Sequence, residues 1–155
     1  MDKIDQKIIR ELQANARLSN QELAENIGLS PSPCLRRVRR LEEIGVLAGY
    51  TAIVDQEQYG LPVNVFVSVR LEIQNNQSIK KFEEGINNLD QVMECYLMTG
   101  SRDYLMRVVS ADLKSYEDFI REELTRIPGI ASVESSFAYG NVKSCTVFPE
   151  NSGRP

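Results

Sequence analysis

Four arginines stand within five positions: Arg36, Arg37, Arg39 and Arg40. A guanidinium grips phosphate at two points and matches the O6/N7 edge of guanine, so such a cluster on one element points to nucleic acid. A second group with chemical capacity is Thr99, Gly100, Ser101, Arg102, Asp103 and Tyr104. Glycine there leaves backbone amides open to a carboxylate and Asp103 can hold an ammonium, which together suit a zwitterion. The same residues also read as a hairpin turn made by Gly100 and capped by Asp103. The 155 residues include no histidine. That removes the commonest general base, triad partner and metal ligand. Cys34, Cys95 and Cys145 are odd in number and far apart, which suits neither a disulfide framework nor a zinc site. The residue types argue against an enzyme, and no metal or other cofactor is expected.

The first fifty residues supply three helices to carry the arginines. Ile4, Ile8, Ile9 and Leu12 recur at helical spacing, with Asp2 placed to cap the start. Ser19 and Glu22 form a capping-box pattern ahead of Leu23, Ala24 and Ile27, and Gly28 supplies a left-handed stop. A third helix starts at Ser30-Pro31-Ser32-Pro33, with serine as N-cap and proline in the first turn, and stops at Gly45. At about 100° per residue, Cys34, Val38 and Leu41 share one face. Arg36, Arg39 and Arg40 fall opposite, and Arg37 lies on a flank. That arrangement predicts a helix-turn-helix whose last helix enters the major groove. Ser30 and Ser32, at the positive helix end, are placed to donate to phosphate. Arg37 is equally suited to DNA or to an ion pair with a carboxylate of the first helix.

The net charge of −4 divides unevenly: residues 1–50 carry +1 and the remainder −5. A local basic patch is what meets phosphate. After Gly45 the pattern changes to strands. Residues 47–54 read as one, followed by a polar connector at 55–60. From Val63 to Ile73 apolar residues alternate cleanly with polar ones, the mark of a half-buried strand. Residues 78–88 read as a helix, 92–98 and 104–110 as strands, and Asp112 caps a helix ended by Pro128-Gly129. Residues 133–138 and 144–148 complete the strands. The order is β-α-β-β-α-β with an extra strand, a ferredoxin-like layer of helices on an antiparallel sheet, hence an α+β fold. The expected division is 1–60 for DNA binding, 61–150 for the ferredoxin-like domain and 151–155 as a tail. The charged first five residues lack the apolar core of a secretory signal and no run of eighteen apolar residues occurs, so a cytoplasmic location is expected.

Residues 29–42, Leu-Ser-Pro-Ser-Pro-Cys-Leu-Arg-Arg-Val-Arg-Arg-Leu-Glu, followed by Gly45, resemble the signature of the Lrp/AsnC family of feast/famine regulators. The likeness continues through Gly49-Tyr50-Thr51, residues 100–104, Arg126-Ile127-Pro128-Gly129 and Val142-Lys143, and is nearest to the leucine-responsive members. It implies a winged-type helix-turn-helix and an ACT-like (RAM) ferredoxin domain. It also implies homodimers that assemble further, for example into octamers, and an amino-acid effector at an interface near the glycine loop. Carried onto this chain, the ligand site comprises Thr99, Gly100, Ser101, Arg102, Asp103 and Tyr104, with Ser135 and Ser136 facing the same cleft. An amino-acid-responsive, sequence-specific transcriptional regulator is the leading expectation, with leucine or methionine favoured. A ligand-independent DNA-organising protein of the same fold and a regulatory subunit of an enzyme are the competing readings.

Overall fold

The computed structural model describes residues 1–149, and the chain forms two compact units, each with its own core. One is Met1–Ile53 together with residues 143–149, and the other is Val54–Val142.

The first unit holds α1 (Lys3–Ala14), α2 (Asn20–Ile27) and α3 (Pro31–Glu43). Asp2 accepts from the Asp5 N–H at 2.9 Å while the Asp5 carboxylate accepts from the Asp2 N–H at 3.0 Å. Ser19 and Glu22 repeat this reciprocal cap at α2, at 3.2 and 2.8 Å. Such caps satisfy amides that a helix start leaves without intrahelical partners. Gly28, at φ 74°, ends α2 in the left-handed region, with its N–H on the Ala24 and Glu25 carbonyls. The Asn20 side-chain amide donates to the Pro31 carbonyl at 2.8 Å and so ties the start of α2 to the start of α3. Ile8, Leu12, Leu23, Ala24, Ile27, Cys34 and Leu41 make the core. Truncating Leu41, which is fully buried, to alanine would cost about 2–5 kcal/mol.

The second unit is a four-stranded antiparallel sheet in the order β2-β3-β1-β4: β1 Val63–Leu71, β2 Val92–Leu97, β3 Tyr104–Ser110 and β4 Ile130–Phe137. α4 (Asn76–Ile86, capped by Asn75) and α5 (Leu113–Glu122, capped by Asp112) lie on one face. Val65, Val67, Val69 and Leu71 project into that layer with Phe82, Ile86, Tyr116 and Phe119, as the period-two alternation requires. Gly85 sits in α4 where a Cβ would come within 2.9 Å of Ile127, so close packing explains a glycine inside a helix. The other sheet face carries Phe66, Arg70 and Tyr96, all exposed.

Several expectations are corrected. Residues 47–54 and 144–148 are not strands among the described residues, so the sheet has no fifth member. The second segment has another use for its backbone: Gln13 Nε2 donates to the Thr146 carbonyl at 2.9 Å and the Phe148 N–H donates to Gln13 Oε1 at 3.2 Å. Connector 55–60 is a single helical turn, closed by the Tyr59 N–H on the Asp55 carbonyl. It belongs with the second unit, so the division falls at Ile53/Val54 and not at 60/61. Residues 143–149 return to the first unit. α5 stops at Glu122, and a 3-10 turn, Leu124–Arg126, precedes Pro128. β1 ends at Leu71, leaving Ile73 exposed. The tail 151–155 lies outside the described residues.

Candidate DNA interface and ligand loop

α3 presents its arginines as the helix wheel requires. Cys34 and Leu41 are buried, Val38 packs against them, and Arg36, Arg39 and Arg40 are exposed. Ser30 occupies the N-cap position without making a side-chain cap bond. Of the two amides that a serine at this position can cap, the third residue's is missing, because that residue is Pro33. The Ser30 and Ser32 hydroxyls therefore stand exposed at the positive end of the helix.

Arg37 is turned inward. Its Nη1 meets Asp5 at 2.7 Å and Asp2 at 2.8 Å, the internal pair that is one of its two sequence readings. Asp5 is 2% exposed, so Arg37 is the counter-ion that offsets its burial. The Asp5 N–H bond and the Arg37 guanidinium hold the Asp2 carboxyl below its usual range. Arg40 leans towards the Asp5 carboxylate at 3.9 Å. Neither Arg36 nor Arg39 has an ion-pair partner among the described residues. The face thus holds two uncommitted guanidiniums, one shared and one anchored.

In the second unit, Gly100 adopts φ 116° between β2 and β3, a region that L residues avoid. Thr99, Gly100 and Ser101 are exposed. The Met98 N–H donates to the Asp103 carbonyl at 2.8 Å and the Asp103 N–H to Val69 at 2.9 Å, closing the loop. The Asp103 carboxylate accepts from the Leu71 N–H at 2.7 Å and from Gln74 Nε2 at 2.6 Å. Both its oxygens are thus engaged in fastening the loop to the end of β1. Tyr104 is a core residue: its ring lies 4.5 Å from that of Phe82 and its hydroxyl donates to Glu83 at 3.0 Å. Arg102 pairs with Glu134 and donates to Ser132 at 3.3 Å. Ser135 is opposite Val67 and bonded to Tyr116, on the helix side, whereas Ser136 is opposite Phe66 on the open face. Adjacent strand residues face opposite ways, so the two serines do not share one cleft. Sequence reading missed Gln74, Ser132 and Glu134, whose links to the loop span 29 to 32 residues and leave no local signal.

Partial burial and the Glu83 charge push the Cys95 thiol up to about 11, which keeps it protonated near neutral pH. Among the described residues no group of three or more His, Cys, Asp or Glu could hold a metal ion, and no helix is long and apolar enough to cross a membrane.

A helix-turn-helix with a free cationic face, joined to a ferredoxin-like unit with an open glycine loop, defines a two-domain DNA-binding regulator. Residues 1–48 match the winged helix-turn-helix DNA-binding domain and residues 64–148 the Lrp/AsnC ligand binding domain. The chain is 48% identical over 142 residues to the Bkd operon transcriptional regulator of Pseudomonas aeruginosa, covering 92% of this chain and 93% of that protein. It is 36% identical to the leucine-responsive regulatory protein of Escherichia coli, over 92% of this chain and 87% of that one. The structure of the Neisseria meningitidis transcriptional regulator NMB0573, solved as an L-Met complex, superimposes with a TM-score of 0.92 at 34% identity, over 97% of each chain. The chain belongs to the Lrp/AsnC family and is a DNA-binding transcriptional regulator.

Proposed function

We propose that this regulator docks α3 in the major groove and responds to a free amino acid, leucine or methionine before others, held at a subunit interface beside residues 99–104. On the DNA side Arg36 and Arg39, with Arg40 and the exposed Ser30 and Ser32, contact the duplex, while Arg37 holds the helix in place. On the ligand side, the observation that carries the reading is the left-handed Gly100, which leaves Thr99, Gly100 and Ser101 exposed beside Leu97 (70% exposed) and Met98. Backbone amides there suit a carboxylate, and pliable thioether and leucyl surface suits an aliphatic side chain. The L-Met complex of the Neisseria relative supports the ligand class. The protein assembles as a homodimer through the open sheet face, with higher oligomers such as octamers built from it, in the cytoplasm.

The engagement of Asp103 by Leu71 and Gln74 assigns it the task of anchoring the loop in place of receiving an ammonium. Calorimetric titration of leucine and methionine separates the two roles. Asp103→Ala removes a charge-assisted acceptor from a backbone amide, about 1.5–3 kcal/mol, and weakens binding about tenfold to a hundredfold. Asp103→Asn still accepts from Leu71 and keeps most of the affinity. If the asparagine variant were as crippled as the alanine one, the carboxylate would be meeting the ligand's charge. The same engagement favours a second reading, a ligand-independent DNA-organising protein. Absence of binding by the wild type to any of the amino acids would establish that reading instead.

A further inference from the structure

α3 places one aliphatic side chain where its charges are. Cys34, Val38 and Leu41 all turn to the core, but Leu35 is 39% exposed. It shares one shallow concavity, about 440 Å³, with Ser32, Arg36, Arg39, Arg40 and Glu43. A lone exposed leucine is ordinary on a protein surface. Here its position is not neutral, because it stands next to Arg36 and one turn from Ser32 and Arg39, on the surface that meets DNA. Leu35 is also in the N-terminal half of the helix, the half that reaches base edges when such a helix lies in the major groove. A leucine offers no hydrogen bond. The one apolar group that the major groove displays is the C5 methyl of thymine.

We propose that Leu35 is a specificity-determining residue that reads a thymine methyl, flanked by arginines that grip guanine edges and phosphates. The inference rests on the proposed docking of α3 in the major groove. It divides the labour along one helix face. Arg36, Arg39 and Arg40 supply most of the affinity and its salt dependence, while Leu35 supplies a salt-independent preference for thymine at one position of the site. Burying one methyl against it is worth about fourfold in affinity. The discrimination is modest but confined to a single base.

The test uses the duplex that the full-length wild type enriches from a randomised pool. Each thymine of that duplex is replaced in turn by deoxyuridine, which deletes the methyl and leaves pairing and charge intact. Wild type is expected to lose about fourfold in affinity at one thymine position, or at its symmetry mate, and Leu35→Ala to bind the thymine and uracil duplexes alike. Arg36→Ala is expected to bind both more weakly while preserving their ratio. Insensitivity of the wild type to every methyl deletion would overturn the proposal. So would a thymine preference that survives intact in Leu35→Ala, or in Leu35→Gln should the alanine variant fail to fold. A pool from which the wild type enriches no sequence would overturn the major-groove reading, and this proposal with it.

Discussion

Among the four arginines of α3, one differs in kind, and substitution separates them. Arg36 and Arg39 have no ion-pair partner among the described residues, so replacing both by alanine leaves folding intact and flattens the salt dependence of DNA binding. Each lost phosphate contact lowers the slope of log K against log salt by about 0.9. Unchanged affinity and slope in that double variant would remove α3 as the interface. Arg37→Ala acts on stability, because it strips the partner from an Asp5 that is 2% exposed. Leaving such a carboxylate buried and unpaired costs on the order of 3 kcal/mol, which thermal unfolding of the N-terminal unit reads directly. Helix geometry in the sequence showed which arginine was on the flank. It did not show that Asp2 and Asp5 would converge on it, since that depends on how α1 crosses α3.

At the level of elements, the cap of α1 gives a pH prediction. Asp2 has a folded-state pKa below its usual value, chiefly through the Asp5 amide and then Arg37. A depressed acid adds stability above its unfolded pKa and loses it as pH falls through the folded value. The start of α1 should therefore loosen below about pH 4, seen as faster amide exchange at residues 3–6, and Asp2→Ala, which removes the acceptor, should already show that loosening at pH 7. Equal exchange in both proteins at pH 7 would contradict the capping role of the Asp2 carboxylate. Elements with strong periodicity were legible in the sequence: β1, β3 and the three N-terminal helices lie where their apolar spacing puts them. Residues 47–54 and 144–148 carry strand-favouring residues such as Tyr50, Thr51, Ile53, Val54, Thr146 and Val147 yet form no ladder, because such residues say that a segment can be a strand and not that a partner strand exists. Of the ligand loop, its glycine turn was legible. The fastening of Asp103 to Leu71 and Gln74 was not, because it depends on contacts far along the chain. The split of Ser135 from Ser136 could have been read from strand period alone.

For the molecule as a whole, the open sheet face is the surface that the proposed dimer must cover. Phe66, 41% exposed at the centre of that face, is the residue to change. Phe66→Asp in the full chain should shift sedimentation towards the monomer while leaving helical content unchanged, and an unaltered sedimentation coefficient would place the dimer contact elsewhere. In the proposed function DNA binding resides in one unit and the amino-acid response in the other, and the chain joins the two at Ile53/Val54 and Val142/Lys143. Coupling between two such sites is reciprocal and typically amounts to 1–3 kcal/mol, about 5- to 150-fold in affinity. The direct measurement is the Kd of the full-length protein for its selected duplex, by fluorescence anisotropy at fixed salt, with and without saturating leucine or methionine. On this reading one of them changes that Kd at least fivefold, and in Asp103→Ala the amino-acid concentration needed for the change rises about tenfold to a hundredfold while the Kd without amino acid stays the same. A Kd that none of the twenty amino acids alters would contradict it.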